Sequence, residues 1–342
     1  MREIEINSIE GAEILKQLKN HLSGSLKEQW GEYVLEFDSE LGKGMIRSIA
    51  FDWGVSLVDY DVNFTEDIKI TFNITKANPI QFIFVSEGHI EYLNNTDNKI
   101  STFERYQNII ISTKKNSKET YIFPKTVAIK VNFIYILRKE FSKRKNNNLS
   151  FLSKSLLDVF QDGDSETSYN HYGNFNLKIA DQIRQLQESY ESGIVRTLSI
   201  EGQLNLILAM QMLEQNNYES GMTLPESLSK SDIKKIHRLS EYIVDNISEP
   251  LSVNTLATRA GLSTKKLQLG FRVLYSKSVN EYVRQLKLEI SRDYIKNSND
   301  SISEIVYNIG FKSRSYFSKI FFERYGILPT EYRKKNKVKG QN

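Results

Sequence analysis

One pattern occurs twice in the C-terminal third of this chain, and it constrains the fold more than any other feature. The first copy runs from Val253 to Ser263 and continues through Thr264 to Arg272; the second runs from Ile302 to Ser313 and continues through Arg314 to Phe321. Each reads as a short apolar helix, a turn containing glycine, a serine placed to cap, and a second helix carrying basic and hydroxyl side chains. That is the sequence form of a helix-turn-helix, whose second helix is the one that enters a nucleic-acid groove. Two copies in one chain predict a double-stranded DNA reader that does not need a partner subunit to reach two half-sites.

Periodicity fills in the rest of that region. Ile233, Ile236, Leu239, Ile243 and Ile247 form a helical stripe that Ser231 is placed to cap and that stops at Glu249-Pro250. In the first copy Leu256, Ala257 and Ala260 face inward, Gly261 takes the turn and Ser263 caps the next helix. Leu267, Phe271 and Leu274 return to the core, which leaves Lys265, Gln268, Leu269 and Arg272 outside. A long helix from about Val279 to Ile295 follows, with Tyr282, Leu286, Ile290 and Tyr294 on its expected buried stripe. In the second copy Gly310-Phe311 make the turn, Ser313 caps, and Phe317, Ile320 and Phe321 point inward. Arg314, Ser315, Ser318 and Lys319 then face out, and Leu328 to Arg333 reads as a last helix with proline in its first turn. Held by one rigid helix, the two units can present their second helices to successive major grooves, about 34 Å apart.

Charge is divided along the chain in the same sense. The net charge is +4, but residues 231–342 hold 21 Lys+Arg against 11 Asp+Glu, a balance of +10, and the remainder stands at −6. A basic part meeting polyphosphate and an acidic part that does not is the asymmetry such a reader predicts. Without the five charges of the tail from Arg333 to Lys339 the segment still stands at +5. The chain has no cysteine, no apolar run long enough to span a bilayer, and acidic residues in Met1-Arg-Glu-Ile-Glu where a signal peptide needs a basic start. A cytoplasmic protein without membrane association is expected.

Residues 1–145 read as β-rich after a helical stretch at Ala12–Leu22. Ile68, Ile70, Phe72 and Ile74 alternate with polar residues, as do Val127, Ile129, Val131, Phe133 and Tyr135. Further strands are expected at Met45–Phe51, Val55–Val62, Gln81–Ser86, Ile90–Leu93 and Asn108–Ser112, with turns at Asn78-Pro79, Glu87-Gly88, Asn94–Asn98 and Lys114–Ser117, while the first forty residues, with Tyr33–Phe37, read as mixed. Strands of this spacing predict a sandwich or small barrel, a cupin-like or jelly-roll arrangement. Residues 146–230 read as a helical connector. Leu152 to Phe160 form one helix, Gly163–Gly173 a loop, and Ile179 to Tyr190 and Leu204 to Leu213 a helical hairpin; a linker follows at Asn216–Pro225. The fold class expected is α+β: the β-rich domain, the connector with a dimerisation seam, an all-α domain over 231–335 with two helix-turn-helix units, and a basic tail over 336–342.

Enzymatic readings find little support. Of His21, His89, His171 and His237 only His89 lies among the alternating strands, too few for a metal-dependent barrel, and there is no phosphate loop or nucleophile elbow. No catalytic residue, metal ligand or cofactor is expected. A binding role is easier to defend, because Phe51, Trp53, Tyr60, Phe64, Phe72, Phe82, Phe84, Tyr92 and Phe103 make the region rich in aromatics. Most of these should fill a core. Trp53, in the turn-like Asp52-Trp-Gly54, is the expected pocket mouth, with Phe82 and Phe84 behind it.

From about Ile233 to Arg333 the sequence resembles the DNA-binding domain of the AraC/XylS family of bacterial transcription regulators. The most specific run is Ile309-Gly-Phe-Lys-Ser-Arg-Ser-Tyr-Phe-Ser-Lys-Ile-Phe321, followed by Tyr325-Gly-Ile-Leu-Pro-Thr-Glu-Tyr-Arg333. The resemblance implies base-reading positions at Lys265, Gln268 and Leu269 in the first unit and at Ser315, Ser318 and Lys319 in the second, with Arg314 beside them. Leu269 stands where many members have arginine, Ser276 where glycine is usual, and Lys287 where arginine usually begins the linker helix. Lys266–Phe271 and Gly193–Leu204 are also similar to the branch of siderophore-responsive regulators, which implies a siderophore-like effector. The family's cysteine-dependent DNA-repair relatives are excluded by composition. The expectation is a sequence-specific regulator under a small-molecule effector, with homodimerisation and RNA polymerase as further partners. Two alternatives stand beside it: a regulator whose N-terminal domain only dimerises, and a metal-dependent barrel enzyme fused to a DNA-targeting domain.

Overall fold

The computed structural model describes residues 1–73, 78–94, 99–187, 192–219, 227–275 and 277–338. Ile74, Tyr190, Ser276, most of the turn at Asn94–Asn98, the end of the linker at Asn216–Pro225 and the last residues of the tail fall outside them. The chain divides into two compact units, Met1–Met222 and Thr223–Asn342.

The first unit opens with β1 (Arg2–Ile6), α1 (Gly11–Leu22), β2 (Ser25–Gln29), β3 (Glu32–Ser39), β4 (Gly42–Phe51), β5 (Val55–Phe64) and β6 (Ile68–Asn73). It continues with β7 (Ile80–Glu87), β8 (Ile90–Asn94), β9 (Lys99–Phe103), β10 (Gln107–Ser112), β11 (Lys118–Phe123) and β12 (Ala128–Ile136). Last come α2 (Arg138–Phe141), α3 (Lys154–Gln161), β13 (Tyr169–Phe175), α4 (Leu177–Gln187) and α5 (Gly193–Glu219). The strands form a five-stranded sheet ordered β1-β6-β11-β8-β9 and an eight-stranded sheet ordered β13-β10-β7-β12-β5-β4-β3-β2. All pairings are antiparallel except β1 with β6.

One cluster joins the sheets. Tyr60, Val85, Val131 and Phe133 of the larger sheet pack with Ile70, Tyr92, Tyr121 and Phe123 of the smaller, and α1 adds Ile14, Leu15 and Leu18. Tyr121 sits at its centre, with its ring 5.0 Å from that of Phe133 and 5.2 Å from that of Tyr92. The opposite face of the larger sheet is buried as well: Phe82, Ile110 and Ile134 are all at or below 1% exposure. Helix α5 lies on that face, where the Gln211 amide donates to Asn108 at 3.0 Å and Asn108 donates to Glu214 at 2.6 Å. Strands buried on both sides read as unbroken apolar runs rather than alternation, which is the pattern of Phe82–Val85.

Two expectations change here. The segment read as a loop over Gly163–Gly173 contains most of β13, which pairs with β10 from Gln107↔Phe175 to Ser112↔Tyr169, so the larger sheet draws on residues beyond 145. Tyr169–Phe175 carries no aliphatic side chain to signal burial; it buries His171, whose Nε2 lies 3.2 Å from Glu214. β1, β2, β9 and β11 were also not foreseen, being short strands rich in charge or hydroxyl side chains.

The second unit is all helical: α6 (Lys230–Asp245), α7 (Val253–Ala260), α8 (Thr264–Tyr275), α9 (Val279–Asn297), α10 (Ile302–Asn308), α11 (Arg314–Tyr325) and α12 (Pro329–Val338). Serines start most of them. Ser229, Ser278 and Ser301 form reciprocal capping boxes with Asp232, Glu281 and Glu304, while Ser252 and Ser313 cap singly. The cap of α6 is therefore Ser229 and not Ser231. On α9, Tyr294 is 52% exposed, whereas Ser291 and Ile295 are buried. The helix packs against α8 on one side and α10 and α12 on others, so its buried surface is broader than a single stripe and rotates past Tyr294.

Candidate nucleic-acid interface

Each helix-turn-helix is assembled by the same local devices. In the first, Gly261 adopts φ +59°, and its N–H bonds back to the last turn of α7. Ser263 Oγ then accepts the Lys266 N–H at 3.2 Å, which fixes the start of α8. In the second, Gly310 adopts φ +77° and Ser313 Oγ accepts the Tyr316 N–H at 3.3 Å. Leu267, Phe271, Phe317 and Phe321 are fully buried beneath these turns.

The outer faces lie where the periodicity puts them, with differences in how free they are. Lys265 and Arg272 of α8 are exposed, and Leu269 is half-buried. Gln268 is half-buried too, and its Oε1 accepts the Val279 N–H at 3.2 Å, so this side chain already helps to start α9. On α11, Arg314, Ser315 and Lys319 are exposed and Ser318 is half-buried. Arg314 donates to Ser303 at 3.2 Å, and Lys319 lies 4.0 Å from Glu323 with 74% of its side chain in solvent.

Buried charges hold these faces in place. Glu289 on α9 is 4% exposed and receives Arg292 at 3.3 Å and Arg324 of α11 at 3.2 Å, so one carboxylate fastens the second recognition helix to the central one. Lys287, also buried, donates to the Gly310 carbonyl at 3.3 Å; burial lowers its pKa below the usual lysine value. Asp232 does comparable work in the first unit, accepting Lys266 of α8 at 2.9 Å. The Ser229 backbone N–H and Lys266 bring its pKa down to about 2. The only hint of this in the sequence is charge at positions where a helix stripe should be apolar.

In the N-terminal unit, Phe82 and Phe84 are 0% and 1% exposed and serve as packing. Trp53 is half-buried between Phe51 and Phe141, at 6.3 and 6.0 Å, with the Arg144 guanidinium 5.0 Å from its ring. A cavity of about 430 Å³ lies elsewhere, over the β2–β5 side of the larger sheet, and none of these three lines it. Among the described residues no group of three or more His, Cys, Asp or Glu is placed to hold a metal ion, and no helix is long and apolar enough to cross a membrane.

A chain that carries two serine-capped helix-turn-helix units on one central helix, each with a basic outer face, is a DNA-binding transcription regulator. Comparison with known proteins agrees. A helix-turn-helix domain family matches residues 256–335. The regulatory protein SoxS of Salmonella typhimurium is 30% identical over 98 residues, 29% of this chain and 92% of the relative. The multiple antibiotic resistance protein MarA of Escherichia coli is 29% identical over 110 residues, 32% of this chain and 87% of the relative. A crystal structure of a transcriptional regulator with an AraC-type DNA-binding domain, from Chromobacterium violaceum, is 26% identical; it covers 32% of this chain and 96% of its own, with a TM-score of 0.30. The chain belongs to the AraC/XylS family of transcription regulators.

Proposed function

We propose that the chain reads a bipartite operator through Lys265, Gln268, Leu269 and Arg272 on α8 and Arg314, Ser315, Ser318 and Lys319 on α11, under control of a small effector taken by the N-terminal unit. The capped N-termini at Ser263 and Ser313 are assigned to phosphate contacts. The observation that carries the reading is the exposure of Lys319 at the centre of a helix whose opposite face, Phe317 and Phe321, is wholly buried. On this reading residues 1–145 sense, 146–230 couple, 231–335 read DNA and 336–342 add phosphate attraction. The protein acts in the cytoplasm, as a binding protein and not a catalyst, and RNA polymerase is its partner at the promoter.

Self-association has support of its own. Val195, Leu198, Leu206 and Leu213 on α5 are 47–60% exposed and recur at helical spacing, with Gly202 and Ala209 exposed between them. This is the pattern of a helix that packs on a second copy. It is also the observation that favours the second reading, in which the N-terminal unit only dimerises. The two part on one test: promoter affinity is measured with and without candidate effectors, ferric siderophores among them, and the dimer-only reading requires no change.

The residue assignment is tested by selecting sites from random DNA with the wild type and two variants. Lys319→Ala is expected to relax base preference at one position by about 1–3 kcal/mol, more than Leu269→Ala does. Equal effects would count against the assignment.

A further inference from the structure

The cavity on the larger sheet is built as a ligand site, and three observations separate it from an ordinary surface hollow. The first is a ladder of alternating charge along its wall. Arg196, in the first turn of α5, donates twice to Glu32 at 2.7 Å; Glu32 lies 3.5 Å from Arg47; and Arg47 donates to Asp59 at 2.9 Å. Lys130 meets Asp61 beside them at 2.7 Å. Burial works against the charge of Glu32, yet Arg196 and Arg47 hold its carboxyl below the usual range; burial raises that of Asp59.

The second observation is an unmet donor. Arg47 is 4% exposed, lines the cavity, and its Nε–H has no hydrogen-bond partner among the described residues. A buried donor left unpaired costs about 1–3 kcal/mol. The network carries that cost at the cavity wall, and its other cations stay reachable there: the Arg196 and Lys130 side chains are 22% and 20% exposed.

The third is Trp30. At the tip of the β2–β3 hairpin, just before Gly31, Trp30 itself adopts φ +51°, a left-handed conformation that disfavours a bulky side chain, and its indole stands 61% exposed at the cavity. Asparagine would suit that position better and expose no apolar ring. Trp30 thus carries two local costs, and a ring surface offered to a ligand accounts for both.

We infer that this cavity takes a zwitterionic, ring-bearing small molecule of the amino-acid kind, with its charged groups on the alternating wall and its ring on Trp30. The inference rests on the effector reading above and gives it a site and a chemistry. Among the described residues three cations and three carboxylates line the walls, so a simple anion meets as many like charges as opposite ones, and so does a simple cation. A ligand that carries both charges a few ångströms apart can match the alternation. Because Arg196 belongs to α5, a ligand in this place also bears on the anchor of the helix that presents the exposed apolar stripe.

The test is calorimetric titration of the full chain with L-phenylalanine, 3-phenylpropionate and phenethylamine, which share a ring and differ in charge. One molecule of L-phenylalanine should bind per chain, and the other two at least about tenfold more weakly, the worth of one charged contact. Trp30→Asn should weaken L-phenylalanine about tenfold, a loss of one ring contact, while leaving the thermal midpoint in place or raising it. Arg196→Gln, which removes a reachable cation from the wall, should weaken it as well. Silence with L-phenylalanine, equal binding of all three probes, or unchanged affinity in Trp30→Asn would overturn the inference. If L-phenylalanine binds and promoter affinity ignores it, the site stands and the effector reading falls.

Discussion

Replacing Phe317 by alanine should cost the C-terminal unit about 3–5 kcal/mol, the range for a large aromatic removed from a closed core. Phe317 is fully buried, with its ring 5.3 Å from Phe311 and 5.5 Å from Phe321. It therefore joins the turn of the second helix-turn-helix to its recognition helix. The neighbours cannot refill the space, because Phe311 is held by the turn and Phe321 packs on Tyr325 at 4.5 Å. Thermal unfolding followed by the helical circular-dichroism signal should show the transition of this unit lowered by more than about 10 °C. Both tryptophans, Trp30 and Trp53, belong to the first unit, so fluorescence should report its transition unchanged. A fall of less than about 1 kcal/mol would mean that the core of the second unit is not packed as described.

Gly310→Ala is the second large effect, and its contrast with Gly261→Ala makes it informative. Both glycines sit in left-handed turns, at φ +77° and +59°. A side chain there costs roughly 1–2 kcal/mol, partly offset by the stiffer unfolded chain. The surroundings differ. A Cβ at Gly261 would meet only Lys235 Nζ, at 3.9 Å, whereas at Gly310 it would stand 2.7 Å from the Ser248 carbonyl and 2.8 Å from Lys287 Nζ. Since a backbone atom is the nearer obstacle, the loop after α6 or the turn itself must move, and the Lys287 bond to the Gly310 carbonyl goes with it. Gly310→Ala should cost about 2–4 kcal/mol and Gly261→Ala about 1 or less. Equal losses in urea unfolding would show that the two turns are held alike.

The difference between these glycines marks where sequence reading reached its limit. Both turns, both serine caps and the inward faces of α8 and α11 follow from spacing, because they depend on residues three or four apart. That Gly310 is walled in by Ser248 and Lys287 depends on residues far away along the chain. The same holds for Glu289, whose partner Arg324 lies on another helix, and for the cavity, whose wall takes residues from β3, β4, β5, β12 and α5. Alternation located the central strands but could not assign Phe82 and Phe84, because a strand covered on both faces has no solvent side. Strand β13 stayed hidden because a buried histidine fills the place an aliphatic residue would have announced. Trp30 passed unnoticed for a related reason: its significance lies in a backbone angle and an exposure, neither of which its neighbours encode.

The central claim is that two recognition helices on one chain read DNA sequence together, and a single affinity ratio tests it most directly. A duplex recovered by selection from random DNA and a scrambled duplex of equal length are titrated with the full chain at one fixed salt concentration. Specific readers of this kind bind their site about 10³-fold or more tightly than other DNA. The account predicts a ratio of that order, reduced when either half of the recovered site is scrambled alone. A ratio near one, or a recovered site with one informative half, would contradict it.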